Sequence, residues 1–115
     1  MKNLAIIGAS GHGKVVAETA DLLGWEKIEF FDRNWQNISS NFKWPVVGDV
    51  TDFLNCSENY DGAIVAIGNN ITRSKIIKKI KNNVSLISII HPFSSISKSA
   101  FIGKGSVVMA GAVIN

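Results

Sequence analysis

The chain has 115 residues, enough for one domain with a modest core and too few for two independent ones. Hydrophobic residues make up 46% and charged residues 18%, a balance that excludes an intrinsically disordered chain. The net charge of +3 arises largely from one predicted helix, where cations alternate with isoleucines; a solvated helix face and an anion-attracting patch both explain it.

No apolar run approaches the roughly 20 residues that cross a bilayer, and the sequence shows no targeting signal. The single cysteine, Cys56, excludes an internal disulfide and lacks metal-ligand spacing. We therefore expect a cytoplasmic protein with no metal site and with neither nucleic acid nor membrane as a partner.

The first elements predict a strand, a glycine loop, a helix and a second strand. Residues 4–7 form a short continuous apolar run that stops at Gly8, as expected of a parallel strand covered on both faces. Apolar residues at helical spacing follow from residue 13, and Gly24 stands where a helix C-cap glycine belongs. Residues 27–31 then predict a second strand that ends at Asp32.

The middle of the chain continues the alternation. Residues 33–45 show no sustained period and predict a loop, followed by a short strand at 46–48 and a short helix capped by Asp49 or Thr51. A buried strand is predicted over 61–67, a helix over 71–81 capped by Asn70, and another strand over 84–90. These alternating elements predict an α/β fold, a small Rossmann-like parallel sheet with flanking helices.

After Pro92 the pattern changes to a period of six. Aliphatic residues recur at Ile96, Ile102, Val108 and Ile114, and a small residue stands four places after each of the first three. Such hexapeptides form the flat sides of a triangular coil, three to a turn. We predict the Rossmann-like α/β domain over residues 1–91 and the start of a truncated hexapeptide coil over 92–115; a hairpin with a chance period is the alternative.

The glycine loop is the first candidate site. Gly8, Gly11 and Gly13 lie between the first strand and the first helix, where backbone N–H groups and the helix dipole favour a phosphate. His12 lies among them and can donate to a phosphate or a sugar hydroxyl, although a lone loop histidine is also often only solvated. The G-x-x-G-x-G spacing differs from the dinucleotide fingerprint, and a tight turn without a ligand remains the alternative.

Two further segments are expected at the same edge of the sheet. Asp32 lies about 20 residues beyond the loop, where an acidic residue commonly accepts hydrogen bonds from ribose; a turn-forming aspartate is the alternative. Gly68, Asn69 and Asn70 bring a second backbone segment to this edge, or simply cap the next helix. His91, before Pro92, is expected to have a structural role.

Five motifs, in order and spanning the whole chain, resemble one bacterial family. They are GASGHGKVVAE (8–18), FFDRN (30–34), AIGNN (66–70) followed by Arg73, IIHPFSSIS (89–97), and the hexapeptides. The family is that of the sialic acid O-acetyltransferases and UDP-4-amino-sugar N-acetyltransferases of bacterial polysaccharide biosynthesis.

The resemblance implies an N-terminal domain that binds a UDP-sugar and a left-handed parallel β-helix that trimerises and binds acetyl-CoA between subunits. The positions that match the family's substrate contacts are Ser10, Gly11, His12, Asp32, Arg33 and Gly68, with Gly8, Gly13, Asn69 and Asn70 supporting the loops.

In that family a histidine of a later coil is the general base, and neither His12 nor His91 matches it. We therefore expect this chain to bind a nucleotide sugar without transferring acetyl groups by itself. A nicotinamide-dependent oxidoreductase domain and a non-enzymatic binding module are the other hypotheses.

Overall fold

Four parallel strands and one antiparallel edge strand form the central sheet of the computed structural model, which describes residues 2–100 and 102–115. The parallel strands are β1 (Asn3–Ile7), β2 (Lys27–Phe31), β4 (Trp44–Gly48) and β5 (Gly62–Val65). The edge strand β3 (Ser40–Asn41) pairs with β4, so the order is β3-β4-β2-β1-β5. Because β1 lies between β2 and β5, the strand order reverses at its carboxyl end.

Helices cover both faces of the sheet, which confirms the fold class predicted for this part of the chain. Leu4 and Ile6 of β1 pack in one core cluster with α1 (Gly11–Leu22). Ala5 and Ile7 point the other way, into a second cluster with Phe53 of α2 (Val50–Asn55) and Ile80 of α3 (Asn70–Ile80). The continuous apolar run of β1 is thus explained by burial on both faces.

The helix ends follow the sequence signals closely. Gly24 adopts a φ of +91°, as a glycine just beyond a helix does. Asp49 caps α2 in a reciprocal capping box with Asp52. At α3 the prediction was wrong by one residue, because Asn69 is the cap and accepts a 3.0 Å hydrogen bond from the Thr72 N–H, whereas Asn70 is the first helical residue.

Residues 33–45 contain more structure than the predicted loop. A 3₁₀ turn spans Trp35–Asn37, and β3 and β4 form a hairpin whose two-residue loop is Phe42 and Lys43. Trp44, Val46 and Gly48 are buried while the residues between them are exposed, so β4 begins two residues before its predicted start. The hairpin extends the sheet beyond β2.

The strand predicted over residues 84–90 does not form as one element. The chain pairs with β5 only around Leu86, opposite Ala63, and then leaves the sheet. Ile89 packs instead in the cluster that includes α1, and β6 (Ile89–Ile90) pairs with a later segment. The two parts of this apolar run therefore contact different neighbours, first β5 and then α1 and the later segment.

The C-terminal residues form two short parallel pairs. β6 pairs with β8 (Val107–Val108), and β7 (Ser95–Ile96) pairs with β9 (Val113–Ile114). In both pairs the partner stands 18 residues later in the chain, Ile89 opposite Val107 and Ser95 opposite Val113. Over the described residues, the helices are too short or too polar to cross a membrane.

Candidate functional site

A cleft of about 440 Å³ opens at the carboxyl edge of the sheet, where the strand order reverses. In open α/β sheets this is the position at which ligands bind. We call it the switch-point cleft. Its walls come from the ends of β1 and β2, the start of α2, the segment after β5 and the first turns of α3; among the residues that line it are Gly8, Asp32, Arg33, Val50, Ile67, Asn69, Thr72 and Ile76.

Two glycines of the loop after β1 are required by the packing of the chain itself. Gly8 has a φ of +113°, donates its N–H to the Phe31 carbonyl at 2.8 Å, and leaves no room for a Cβ, which would lie 2.6 Å from the Ala66 carbonyl oxygen. A Cβ on Gly13 would collide with the Gly8 carbonyl and approach Phe30 to 3.0 Å. Gly8 and Gly13 therefore allow the loop to pass close to β5 and to itself.

Two other glycines have no such requirement. A Cβ on Gly11 or on Gly68 would meet nothing within 4 Å, and neither residue has a φ in the left-handed region. Both are exposed at the carboxyl edge, Gly11 in the first turn of α1 and Gly68 just before α3. The space beside them is open for a ligand.

The N-terminus of α1 presents backbone donors at this edge. The first intrahelical hydrogen bond joins the Lys14 N–H to the Ser10 carbonyl at 3.0 Å, so the N–H groups of residues 11–13 precede the helical ladder. Ser10 is the N-cap residue, but its hydroxyl makes no capping hydrogen bond. Ser10 and His12 are both exposed.

Asp32 joins the glycine loop to the turn after β2. One carboxylate oxygen accepts the Ala9 N–H and the other accepts the Asn34 N–H, each at 2.9 Å. Its own N–H donates to the Gly48 carbonyl at 2.8 Å, which fixes the residue from the β4 side. Since a carboxylate offers about four acceptor positions, these two bonds leave about two of them unused. Arg33 is exposed and lines the same cleft.

The structure thus places the site residues predicted from the sequence at one edge of the sheet, but only some of them line the cleft. Gly8, Asp32, Arg33 and Asn69 line the switch-point cleft. The other six lie in the flanking loops and helix starts rather than in its lining: Ser10, Gly11, His12, Gly13, Gly68 and Asn70.

Sequence reasoning missed the apolar part of the cleft. Val50 is at the start of α2, and Ile67 is the second residue after β5. Thr72 and Ile76, four residues apart, lie on the same face of α3 and form the α3 wall of the cleft. The i, i+4 spacing was a signal for a shared face, but the sequence did not show that this face borders a cleft.

The clearest pKa shift lies away from this edge. The Tyr60 hydroxyl, just before β5, donates a 2.6 Å hydrogen bond to Glu29 in a partly buried position. Burial, reinforced by the Glu29 carboxylate, raises the pKa of Tyr60 well above its ordinary value. Burial and nearby carboxylates also raise the pKa of the Cys56 thiol, so both groups are protonated at neutral pH.

His91 is engaged in the local backbone rather than in the cleft. Its Nδ1 accepts the Phe93 N–H at 3.0 Å, and its own N–H donates to the Val108 carbonyl at 2.8 Å. The expected structural role agrees with these bonds. Within the described residues, no group of three or more His, Cys, Asp or Glu side chains has an arrangement that would hold a metal ion.

Comparison with known proteins supports the relationship suggested by the motifs. Residues 3–80 match the PglD N-terminal domain family. The chain is 32% identical over 114 residues to the UDP-N-acetylbacillosamine N-acetyltransferase of Bacillus subtilis (strain 168), a match that covers 96% of this chain and 52% of that enzyme.

Two solved structures show the same architecture. PerB from Caulobacter crescentus, in complex with CoA and GDP-perosamine, matches 100% of this chain and 55% of its own with 35% identity and a TM-score of 0.89. The acetyltransferase domain of PglB from Neisseria gonorrhoeae FA1090, in complex with acetyl coenzyme A, matches 97% of this chain and 55% of its own with 42% identity and a TM-score of 0.86. The chain spans about half the length of these relatives, and it belongs to the PglD N-terminal domain family.

Proposed function

We propose that the switch-point cleft binds a nucleotide sugar and that the chain is the substrate-binding part of an acetyl-CoA-dependent sugar acetyltransferase. The observation that carries the proposal is the position of Asp32, which lines the cleft and accepts the Ala9 N–H of the loop that leads into the open N-terminus of α1. The Bacillus and Neisseria relatives are named as acetyltransferases and are 32% and 42% identical to this chain, and PerB was solved with CoA and GDP-perosamine.

The diphosphate is proposed to lie at the start of α1. The N–H groups of residues 11–13 and the positive end of the helix favour an anion there, and Gly11 offers no side chain to keep a phosphate away. His12 and the Ser10 hydroxyl are exposed beside these donors and are proposed to bond the phosphate or the first sugar hydroxyls.

The nucleoside is proposed to occupy the cleft itself. Its volume of about 440 Å³ is in the range of small-molecule sites, and apolar side chains such as Val50 and Ile76 offer a surface for a flat base. Asp32 is proposed to accept ribose hydroxyls, and Arg33 to contact the base or a phosphate. Gly68, Asn69 and Asn70 would bring their backbone to the ligand from the α3 side.

We propose that residues 92–115, after a domain boundary at residues 91–92, form the first coil of a left-handed parallel β-helix, and that β6, just before this boundary, is the strand on which the coil stacks. The 18-residue offset of both strand pairs equals three hexapeptides, the length of one turn of such a coil. Gly105 and Gly111 adopt φ values of +77° and +79°, as tight corners between flat sides require. A homotrimer, as the family resemblance implies, is part of this proposal.

The acyl donor of the whole protein is proposed to be acetyl-CoA, and the acceptor a hydroxyl or amine of the bound sugar. A UDP-sugar is the proposed ligand on the resemblance; the GDP-perosamine of the Caulobacter relative makes a guanine nucleotide the alternative to test. The unpaired Cys56 thiol favours a reducing compartment, for which we propose the cytoplasm.

Calorimetric titration of the purified chain with UDP, UDP-N-acetylglucosamine, GDP, NAD and acetyl-CoA tests the proposal. We expect the uridine or guanosine diphosphates to bind, and we expect Asp32→Asn to weaken that binding. Asn3→Ala, which changes a side chain at the opposite edge of the sheet, is the matched control. Binding of NAD alone would overturn the proposal in favour of a nicotinamide-dependent domain.

A further inference from the structure

The β3–β4 hairpin contacts the α1 region outside the cleft, and the proposed ligand does not explain these contacts. None of its residues lines the switch-point cleft, yet three of its side chains reach α1. Asn41 and Phe42 contact the first turn of α1, and Lys43 pairs with Asp21 near its end at 3.3 Å.

Phe42 has an unusual conformation at the tip of the hairpin. Its φ of +56° makes it the one non-glycine residue with positive φ in the described chain, and it is the first residue of a two-residue hairpin loop, a position that favours glycine. The side chain is 65% exposed, so burial does not compensate for this backbone. Its ring lies 4.8 Å from the Lys14 ammonium of α1 and 5.9 Å from the buried Trp44 ring of the same hairpin, so the Lys14 contact joins the tip to α1.

Asn41 makes the decisive contact. Its side-chain amide donates a 2.9 Å hydrogen bond to the Ser10 carbonyl, the same oxygen that accepts the first helical bond of α1. In a planar trans peptide the carbonyl of Ser10 and the N–H of Gly11 point in opposite directions. Fixing the Ser10 oxygen from the hairpin side therefore fixes the direction of the Gly11 N–H.

We infer that Asn41 is a positioning residue that orients the Gly11 N–H toward the anion site, with Phe42 and Lys14 holding the hairpin in place. The inference rests on the proposed function, because the Gly11 donor matters for binding only if a phosphate lies at this helix end. Asn41 is then a residue outside the cleft that contributes to nucleotide affinity.

The test compares Asn41→Ala with Asn3→Ala. Each substitution removes one asparagine amide that donates to a main-chain carbonyl, at 2.9 Å to Ser10 and at 3.0 Å to Asn59, but only the first is at the carboxyl edge. We expect Asn41→Ala to weaken UDP or GDP binding about fivefold, the value of one typical hydrogen bond, while Asn3→Ala binds as the parent chain does. Asn41→Asp, which cannot donate, should bind no better than Asn41→Ala. Unchanged affinity in Asn41→Ala would overturn the inference.

Amide hydrogen exchange separates this inference from the proposed function. If the parent chain binds neither UDP nor GDP, the proposed function fails, but the orientation of the loop is still measurable. We expect amides of residues 9–13 to exchange faster in Asn41→Ala than in Asn3→Ala, at similar melting temperatures. Equal exchange in the two variants would overturn the positioning role.

Discussion

Replacing Gly11 and Gly13 by alanine should separate ligand binding from folding. The two glycines are two residues apart in α1, but a Cβ on Gly13 would collide with the Gly8 carbonyl and approach Phe30, whereas a Cβ on Gly11 would meet nothing. Overpacking of this kind costs about 1–3 kcal/mol, which for a domain of this size lowers the melting temperature by roughly 4–12 °C. Gly11→Ala should instead be neutral or stabilise the fold by up to about 1 kcal/mol, since it restricts the unfolded chain.

For nucleotide binding the order should be opposite, with Gly11→Ala the more damaging of the two substitutions. A methyl group on residue 11 would stand between a phosphate and the N–H donors of the first turn, and loss of one hydrogen bond to a charged group is worth about 1.5–3 kcal/mol, or about 10–100-fold in affinity. Thermal unfolding and calorimetric titration with UDP and GDP measure the two effects in the same samples. A Gly11→Ala chain that binds either nucleotide as tightly as the parent chain would refute the placement of the diphosphate at this helix.

Three further predictions concern charge and titration. Asp32→Asn should destabilise the chain by about 1–3 kcal/mol in urea unfolding, because an amide cannot accept from both Ala9 and Asn34, and unchanged stability would contradict the role of these bonds. Nucleotide affinity should fall as salt rises from 50 to 500 mM, since Arg33 lines the cleft and α3, which forms one of its walls, carries four exposed cations and no acidic residue. An affinity independent of salt would show that the α3 cations are only a solvated face. The pKa of Tyr60 is raised in the folded chain, so the unfolded chain loses this proton first and the free energy of unfolding should decrease as the pH rises above about 10. Tyr60→Phe should remove that part of the decrease, and an identical pH profile would show that the hydroxyl pairing with Glu29 does not contribute.

The sheet and its helices were largely predictable because their signals are local and repeated. Continuous apolar runs gave β1 and β5, and burial on both faces explains why those runs do not alternate. The strand prediction for residues 84–90 was wrong because a continuous apolar run does not show how many neighbours it packs against. Leu86 packs on the α2 and α3 side and Ile89 on the α1 side, so an apolar run that passes between two neighbours has the composition of a single strand.

The β3–β4 hairpin escaped prediction because its turn lacks the usual residues. Two-residue hairpin loops are normally marked by glycine or asparagine at the positions with positive φ, and here the loop is Phe42-Lys43. Burial alternates at Trp44, Val46 and Gly48, but the residues between them, Pro45 and Val47, are not polar, so the sequence itself does not alternate, and Pro45 further weakens a strand prediction. A nonlocal contact, the Asn41 bond to Ser10, has no signature in sequence at all.

The candidate site illustrates where a sequence pattern stops being informative. A G-x-x-G-x-G loop predicts glycines required by a ligand, but the structure assigns Gly8 and Gly13 to the packing of the chain and leaves only Gly11 of the loop without an internal reason. Asp32 follows the same logic, because two of its acceptor positions serve the Ala9 and Asn34 amides before any ligand arrives. These bonds fix the carboxylate beside the cleft, and a fixed acceptor loses less entropy on binding than a mobile one. The residues that shape the loop and those that would contact a nucleotide are therefore different members of one motif, and only substitutions that separate folding from binding can distinguish them.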